Sequence, residues 1–198
     1  TWHPVEPGTN PAFLFQQNSL RDALVAATSL DIFNRHANKV VMANIAQTIN
    51  VLQAMILTQE EKMLVTPTGY VYEMYAPHQG GTSLRTVIES DAATYTAAGK
   101  EQQVATVSGS ASRTGKVLFL TLTNAHATDA IEVTVDLLGG AQAAGGAARV
   151  LSGEIHAHNT FEAPETLTPR PYAIDATGAS FVVTLPPASV LAAEIALG

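Results

Sequence analysis

The chain has 198 residues, 46% of them hydrophobic and 14% charged, which is the composition of an ordinary folded domain and argues against disorder. Its formal charge of −7 and the absence of a Lys/Arg cluster argue against nucleic-acid binding, and zero cysteines exclude a disulfide framework or a thiolate metal site. No apolar run approaches the roughly 18 to 20 residues a membrane span needs.

The opening "TWHPVEPGTNP" lacks the basic start and apolar stretch of a signal peptide, and Pro4, Pro7, Gly8 and Pro11 mark a loop. From Asn18 onward, Leu20, Ala23, Leu24, Ala27, Leu30 and Phe33 recur at helical spacing. Asn18 is the expected N-cap, Asn38 the stop, and Asp22 and Asp31 fall on the polar side. "KVVMANIA" (39–46) is apolar on both parities and predicts a parallel strand covered on both faces. "INVLQAMIL" is ambiguous between helix and strand. Glu60 and Glu61 read as a charged turn that could start a capping box from Thr58. Thr66 and Pro67 open a second helix, which Gly69 weakens.

After "APHQGGTS" the pattern changes. "KVLFLTLTN", "AIEVTVDLL", "ARVLSGEI", "ASFVVTLP" and "SVLAAEIAL" are short, rich in β-branched residues and separated by turn formers, as in an antiparallel sandwich or barrel. "LLGGAQAAGGAARV" reads as a flexible surface connection. The boundary is expected near residue 80: α/β order over 1–79 and all-β over 80–198.

Asn44, Gln47, Thr48 and Asn50 stand where the apolar strand of 39–46 runs out. Neutral amides and hydroxyls there suit a polyhydroxylated ligand, and equally suit capping of the next element or satisfying loop backbone. Trp2, the single tryptophan, could stack on a sugar ring or plug the loop onto the domain. The six histidines show no metal-ligand pairing, no carboxylates pair as acid and base, and there is no phosphate loop, nucleophile elbow or zinc motif. On its own residues the chain lacks a catalyst's machinery, so no catalytic residue, cofactor or metal is expected.

The run from Val5 to Thr68, then "YVYEMYAPHQ", "HNTFEAPETLTP" and "LPPASV", resembles the C-terminal part of the intracellular-type α-L-arabinofuranosidases of glycoside hydrolase family 51. The resemblance implies the last elements of a (β/α)8 barrel over 1–79, followed by an antiparallel, jelly-roll-like β-sandwich over 80–198. An entire barrel needs about 200 residues or more. Enzymes of this family retain configuration, using two glutamates; the nucleophile lies in a motif close to Glu-Trp-x-x-Trp, whose second Trp aligns with Trp2. Both catalytic glutamates are then implied to precede this segment. By the same matching Gln47 takes a substrate-binding glutamine position, with Asn44 and Asn50 less firmly carried. Gly69, Ala76 and Pro77 depart from the family pattern.

The implied function is therefore the C-terminal portion of an enzyme that removes terminal arabinofuranosyl residues from arabinan or arabinoxylan oligosaccharides. Its expected partners are that oligosaccharide, the missing barrel segment and further copies of itself, with no nucleic acid and no membrane; a cytoplasmic location is favoured. The alternative is a non-catalytic carbohydrate-binding or structural β-sandwich. The aromatics after residue 80 weigh against binding, because Phe119 and Phe181 lie in apolar strands and are expected in the core.

Overall fold

A computed structural model of the chain describes Gly8, Asn10 and residues 17–198. The architecture is two helices laid on one face of a large antiparallel sheet whose other face is closed by a smaller sheet.

The first helix, α1 (Leu20–Arg35), begins one residue later than expected: Ser19 is the N-cap, and its backbone N–H and hydroxyl both donate to the Asp22 carboxylate, at 2.9 and 3.0 Å. A carboxylate in the first turn also suits the positive end of the helix dipole. The first helical amides find partners outside the helix, Leu20 N–H donating to the Ala157 carbonyl and Arg21 N–H to that of Ile155. Asn18 instead donates from its amide to the Leu52 carbonyl.

Residues 39–46, expected as a strand, are not in one. A strand exists only through ladder bonds to a neighbour, and no neighbour for this segment is among the described residues. Of the ambiguous run that follows, 49–55 are irregular apart from an isolated bridge at Ile49, and only Ile56 and Leu57 enter a strand, in the hairpin of β1 (Ile56–Gln59) with β2 (Lys62–Val65), which turns at Glu60 and Glu61; this is the charged turn, and no helix starts there. Helix α2 (Pro67–Tyr75) follows, capped by Thr66, whose hydroxyl accepts from Gly69 N–H at 3.1 Å and donates to the Ala54 carbonyl at 2.7 Å. Gly69 has a positive reason to be there: a β-carbon on it would lie 2.4 Å from the Met55 carbonyl oxygen, so only glycine lets the helix sit this close to the hairpin. A 3-10 turn (Ala76–His78) ends the segment.

The large sheet has seven strands, which in chain order are β3 (Thr82–Leu84), β6 (Val107–Thr114), β7 (Val117–Asn124), β9 (Ala143–Ser152), β10 (Arg170–Tyr172), β11 (Thr177–Gly178) and β13 (Ser189–Leu197). Across the sheet the order is β10-β9-β13-β7-β6-β3, with β11 also on β9, and every pairing is antiparallel. The covering sheet is β8 (Ile131–Asp136) with β12 (Ser180–Leu185). One further hairpin, β4 (Ala92–Ala97) with β5 (Lys100–Ala105), stands off the body.

The Ala/Gly run forms most of a central strand, which corrects its reading as a flexible connection. Gly139 and Gly140 make the turn and residues 143–152 are β9. Small residues are needed because β13 runs alongside: a β-carbon on Gly146 would come 2.9 Å from the Glu194 carbonyl.

The sheet's two faces differ in chemistry because side chains alternate along each strand. On one face Leu118, Leu120, Leu122, Leu191, Ala193 and Ile195 pack against Phe181, Val183 and Leu185 of β12 as the main core. On the other, Leu151 and Val190 join Leu20, Leu24, Ala27, Val71 and Met74 of the helices in a second core. Phe181 is buried as expected, whereas Phe119 is only half-buried, on the helix-facing side.

Candidate substrate-binding site

The helix-facing side of β6 and β7 carries Ser108, Ser110, Ser112, Thr121 and Thr123, all buried. Asp31 of α1 enters this hydroxyl layer. Its Oδ1 accepts from the Tyr75 hydroxyl at 2.8 Å and from Ser110 and Thr121 at 2.9 Å each. Its Oδ2 accepts from Ser108 at 2.9 Å, with Thr123 at 3.5 Å. Burial pushes the Asp31 carboxyl above its usual range, against the lowering effect of these hydrogen bonds, and burial together with the Asp31 charge pushes the Tyr75 phenol well up. Asp31 and Asp22 are therefore buried groups, not members of a polar helix face; the helical pattern could not show that a polar sheet face would cover Asp31 or that Asp22 would turn in to hold the Ser19 cap. Both carboxylates are consumed by internal donors and neither is placed as a catalytic acid or base.

His78 closes the network, its Nδ1 2.7 Å from Ser112 Oγ and its Nε2 3.3 Å from Thr121 Oγ1. Burial lowers its pKa to about 4, so the ring is neutral near pH 7. It borders a groove of about 230 Å³ between the 3-10 turn and the sheet, lined also by Met74, Phe119, Arg149 and Glu194. Both ring nitrogens are engaged with hydroxyls, which leaves His78 poorly placed as a base. Arg149 is likewise occupied, Nη1 meeting Glu73 Oε1 at 2.8 Å.

The polar residues at the end of 39–46 divide into two groups. Asn50 is structural: its amide donates to Thr58 Oγ1 at 2.9 Å, its carbonyl accepts from Thr58 N–H at 2.7 Å, and its φ is +62°. The Thr48 carbonyl accepts from Met55 and Ile56 N–H, holding the loop against the β1 hairpin, while the Thr48 side chain stays exposed. Asn44 and Gln47 are exposed, and among the described residues neither amide side chain is engaged in a hydrogen bond, which leaves both available to a ligand. Trp2 lies outside the described residues. Beside the free amides, Val41 is 94% and Met42 72% exposed, and Val25, Ile32 and Phe33 form an uncovered apolar side of α1.

Two further motifs prove structural. Asn159 donates to the carbonyls of Val65 and Leu167 and accepts from Leu167 N–H, tying its loop to β2. Ser189 donates to the Pro186 carbonyl, as does Asn124, fixing the turn before β13.

The described residues thus define a β-sandwich roofed by two helices, with exposed amides on an adjoining loop. Residues 1–189 match the family model described as the α-L-arabinofuranosidase C-terminal domain, and the chain belongs to that family. It is 37% identical over 198 residues to the intracellular exo-α-L-arabinofuranosidase of Bacteroides ovatus, covering 98% of this chain and 38% of that protein. The family 51 arabinofuranosidase structure from Xanthomonas axonopodis pv. citri superimposes with a TM-score of 0.88 at 39% identity, over 98% of this chain and 39% of that one. AbfB, a family 51 enzyme from Bifidobacterium longum, gives 0.80 at 26% identity, over 92% and 36% of the two chains. The chain thus spans less than two-fifths of the length of these relatives.

Proposed function

We propose that this chain is the C-terminal portion of a retaining α-L-arabinofuranosidase and supplies Trp2 and Gln47 as substrate contacts to a site whose two catalytic glutamates lie on polypeptide outside these 198 residues. Residues 1–79 act as the closing elements of a (β/α)8 barrel and 80–198 as the supporting sandwich. The observation that carries the reading is the pairing, in one segment, of free Gln47 and Asn44 amides with a bare apolar stretch at Val41 and Met42. A strand apolar on both parities belongs between neighbours, and a helix apolar on two sides belongs between layers. Seating 39–46 in a barrel covers both and leaves Gln47 just past the carboxyl end of the strand, where barrel enzymes hold ligands.

Retention requires two carboxyls roughly 5 to 5.5 Å apart, one protonating the leaving oxygen and the other forming the glycosyl-enzyme. The role of this chain is to hold the sugar against them. Neutral amides can donate to and accept from furanose hydroxyls without adding charge beside the developing oxocarbenium ion. The substrate class is terminal arabinofuranosyl groups on arabinan or arabinoxylan oligosaccharides. Self-association and a cytoplasmic location accompany this reading, the latter supported by the word intracellular in the name of the Bacteroides relative.

The test is turnover of an aryl α-L-arabinofuranoside. The 198-residue chain alone is expected to be inactive. Within the complete enzyme, Gln47→Ala is expected to lower kcat/KM by about 10- to 100-fold, as for the loss of one or two sugar hydrogen bonds. Turnover by the isolated chain, or an unchanged kcat/KM in the variant, contradicts the assignment.

A further inference from the structure

The β4–β5 hairpin is the least supported element of the fold. Eleven of its twelve strand residues are exposed, including Tyr95 at 50% and Val104 at 42%. An isolated two-stranded hairpin is marginal in water, and three or more strands with an apolar face are needed for stability. The base of the hairpin is nonetheless well fixed: the N–H and hydroxyl of Thr106 both donate to the Asp91 carbonyl, at 3.0 and 2.9 Å. It is an arm with a defined root and no cover among the described residues.

Its two free edges differ. That of β5 carries Lys100 and Glu101, the type of charged residue that blunts an exposed edge against further pairing. That of β4, Ala92–Ala97, has six consecutive residues with no charge, no proline and no glycine. Within it, Ala93-Thr94-Tyr95-Thr96-Ala97 reads identically in both directions. Antiparallel pairing about a two-fold axis at the central residue sets each residue of this stretch opposite its like, and the like pairs are Tyr, Thr and Ala, none of which carries a charge that would repel its mate.

We infer that the β4 edge is a self-association surface, pairing antiparallel with β4 of a second copy about an axis at Tyr95. This rests on the self-association reading above and assigns it to one element. Tyr95 then faces Tyr95 of the second copy, with Thr94 opposite Thr96 and Ala93 opposite Ala97; aromatic and Thr–Thr pairs are both favourable across a ladder. The register with β5 places Ala93, Tyr95, Ala97 and Val104 on one face. Gln102 and Lys100 share that face on the outer strand, so joining two hairpins makes a four-stranded sheet whose two central strands present Ala93, Tyr95 and Ala97 between polar margins. The seam is also neutral, which matters for a chain of net charge −7 approaching its own kind.

The test is sedimentation equilibrium of the 198-residue chain over a concentration series, with Thr94→Lys/Thr96→Lys alongside. The wild type is expected to dimerise and the lysine variant to be monomeric, or to dissociate at a concentration at least 100-fold higher. Because the chain has no cysteine, Tyr95→Cys gives an independent readout: oxidation is expected to produce a covalent dimer, whereas Thr134→Cys on exposed β8 is expected not to. Dimers that survive both lysines, or equal cross-linking at the two positions, overturn the β4 assignment and leave self-association standing. A wild type that is monomeric throughout overturns both. Retention on arabinan that Tyr95→Ala abolishes without any change in mass would give the arm to a polysaccharide and also overturn the inference.

Discussion

The two faces of the seven-stranded sheet are both buried, yet they are built on opposite chemical principles. Leu118, Leu120 and Leu122 of β7 turn into a dry core, while Thr121 and Thr123 of the same strand turn toward a carboxylate. The dry face gains about 25 cal/mol for each Å² of apolar surface removed from water, with no demand on direction. The wet face gains only if every donor meets an acceptor, and its central acceptor, the buried carboxyl of Asp31, has no cation among its hydrogen-bond partners and a pKa that burial pushes up. The dry face therefore supplies stability, and the wet face sets the register and tilt of α1.

Asp31→Ala breaks the wet face outright. It leaves the Ser108 hydroxyl without its acceptor and takes one acceptor each from Tyr75, Ser110 and Thr121, which keep the Ala27 carbonyl or one another, and a loss of about 3 kcal/mol is expected in urea denaturation. Asp31→Asn keeps an acceptor and the volume and is expected to cost much less, about 1 kcal/mol; equal losses for the two variants would show that the carboxylate does not organise the joint. Leu191→Ala probes the dry face, where the side chain is completely buried. A loss of about 2 to 5 kcal/mol is expected, set by how far the cavity collapses.

pH separates the faces further, because only one of them titrates. His78 has its folded pKa lowered from 6.5 to about 4, so its contribution is fully present above pH 6.5 and is lost as pH falls toward 4. Asp31 is shifted the other way: its folded pKa is raised above 3.8, so its contribution is present at low pH and is lost as pH rises through the raised value. Where the two titration windows overlap, stability is thus a difference of opposing slopes. His78→Gln is expected to remove the rising part, no more than about 3 kcal/mol over the window, and Asp31→Asn to steepen it. A His78→Gln profile that superimposes on the wild type would count against burial of a neutral ring. The smallest effect expected is for Ser110→Ala, about 1 kcal/mol, because Thr121 and Tyr75 still supply donors to Oδ1.

The same contrast explains what could be read from the sequence. Strands with one dry and one exposed face, such as β8 and β12, announce themselves by alternation. So do the apolar stripe of α1 and the Thr66–Pro67 helix start. The wet face is invisible to that logic, since a buried serine and an exposed one look alike in a strand; Asp31 was accordingly expected on the surface. The Ala/Gly stretch of β9 looked like a linker because close strand approach selects the same residues as flexibility does. The β4–β5 hairpin gave no apolar signal because nothing among the described residues covers it. The strand expected over 39–46 depends on ladder partners that no local pattern can supply. Gln47 stood out only through its place at the end of an apolar run, and its exposed, unengaged side chain is compatible with the role proposed for it.

Leu151 and Val190 share a core with Leu20, Leu24 and Met74, and the Ser/Thr layer is roofed by α1, so the sandwich has no finished outer wall without the helices. Anyone transplanting it into a chimera should carry the sequence from Asn18 onward as its lid. An excision made at residue 81 would leave hydroxyls and leucines on a raw surface, inviting clumping during expression.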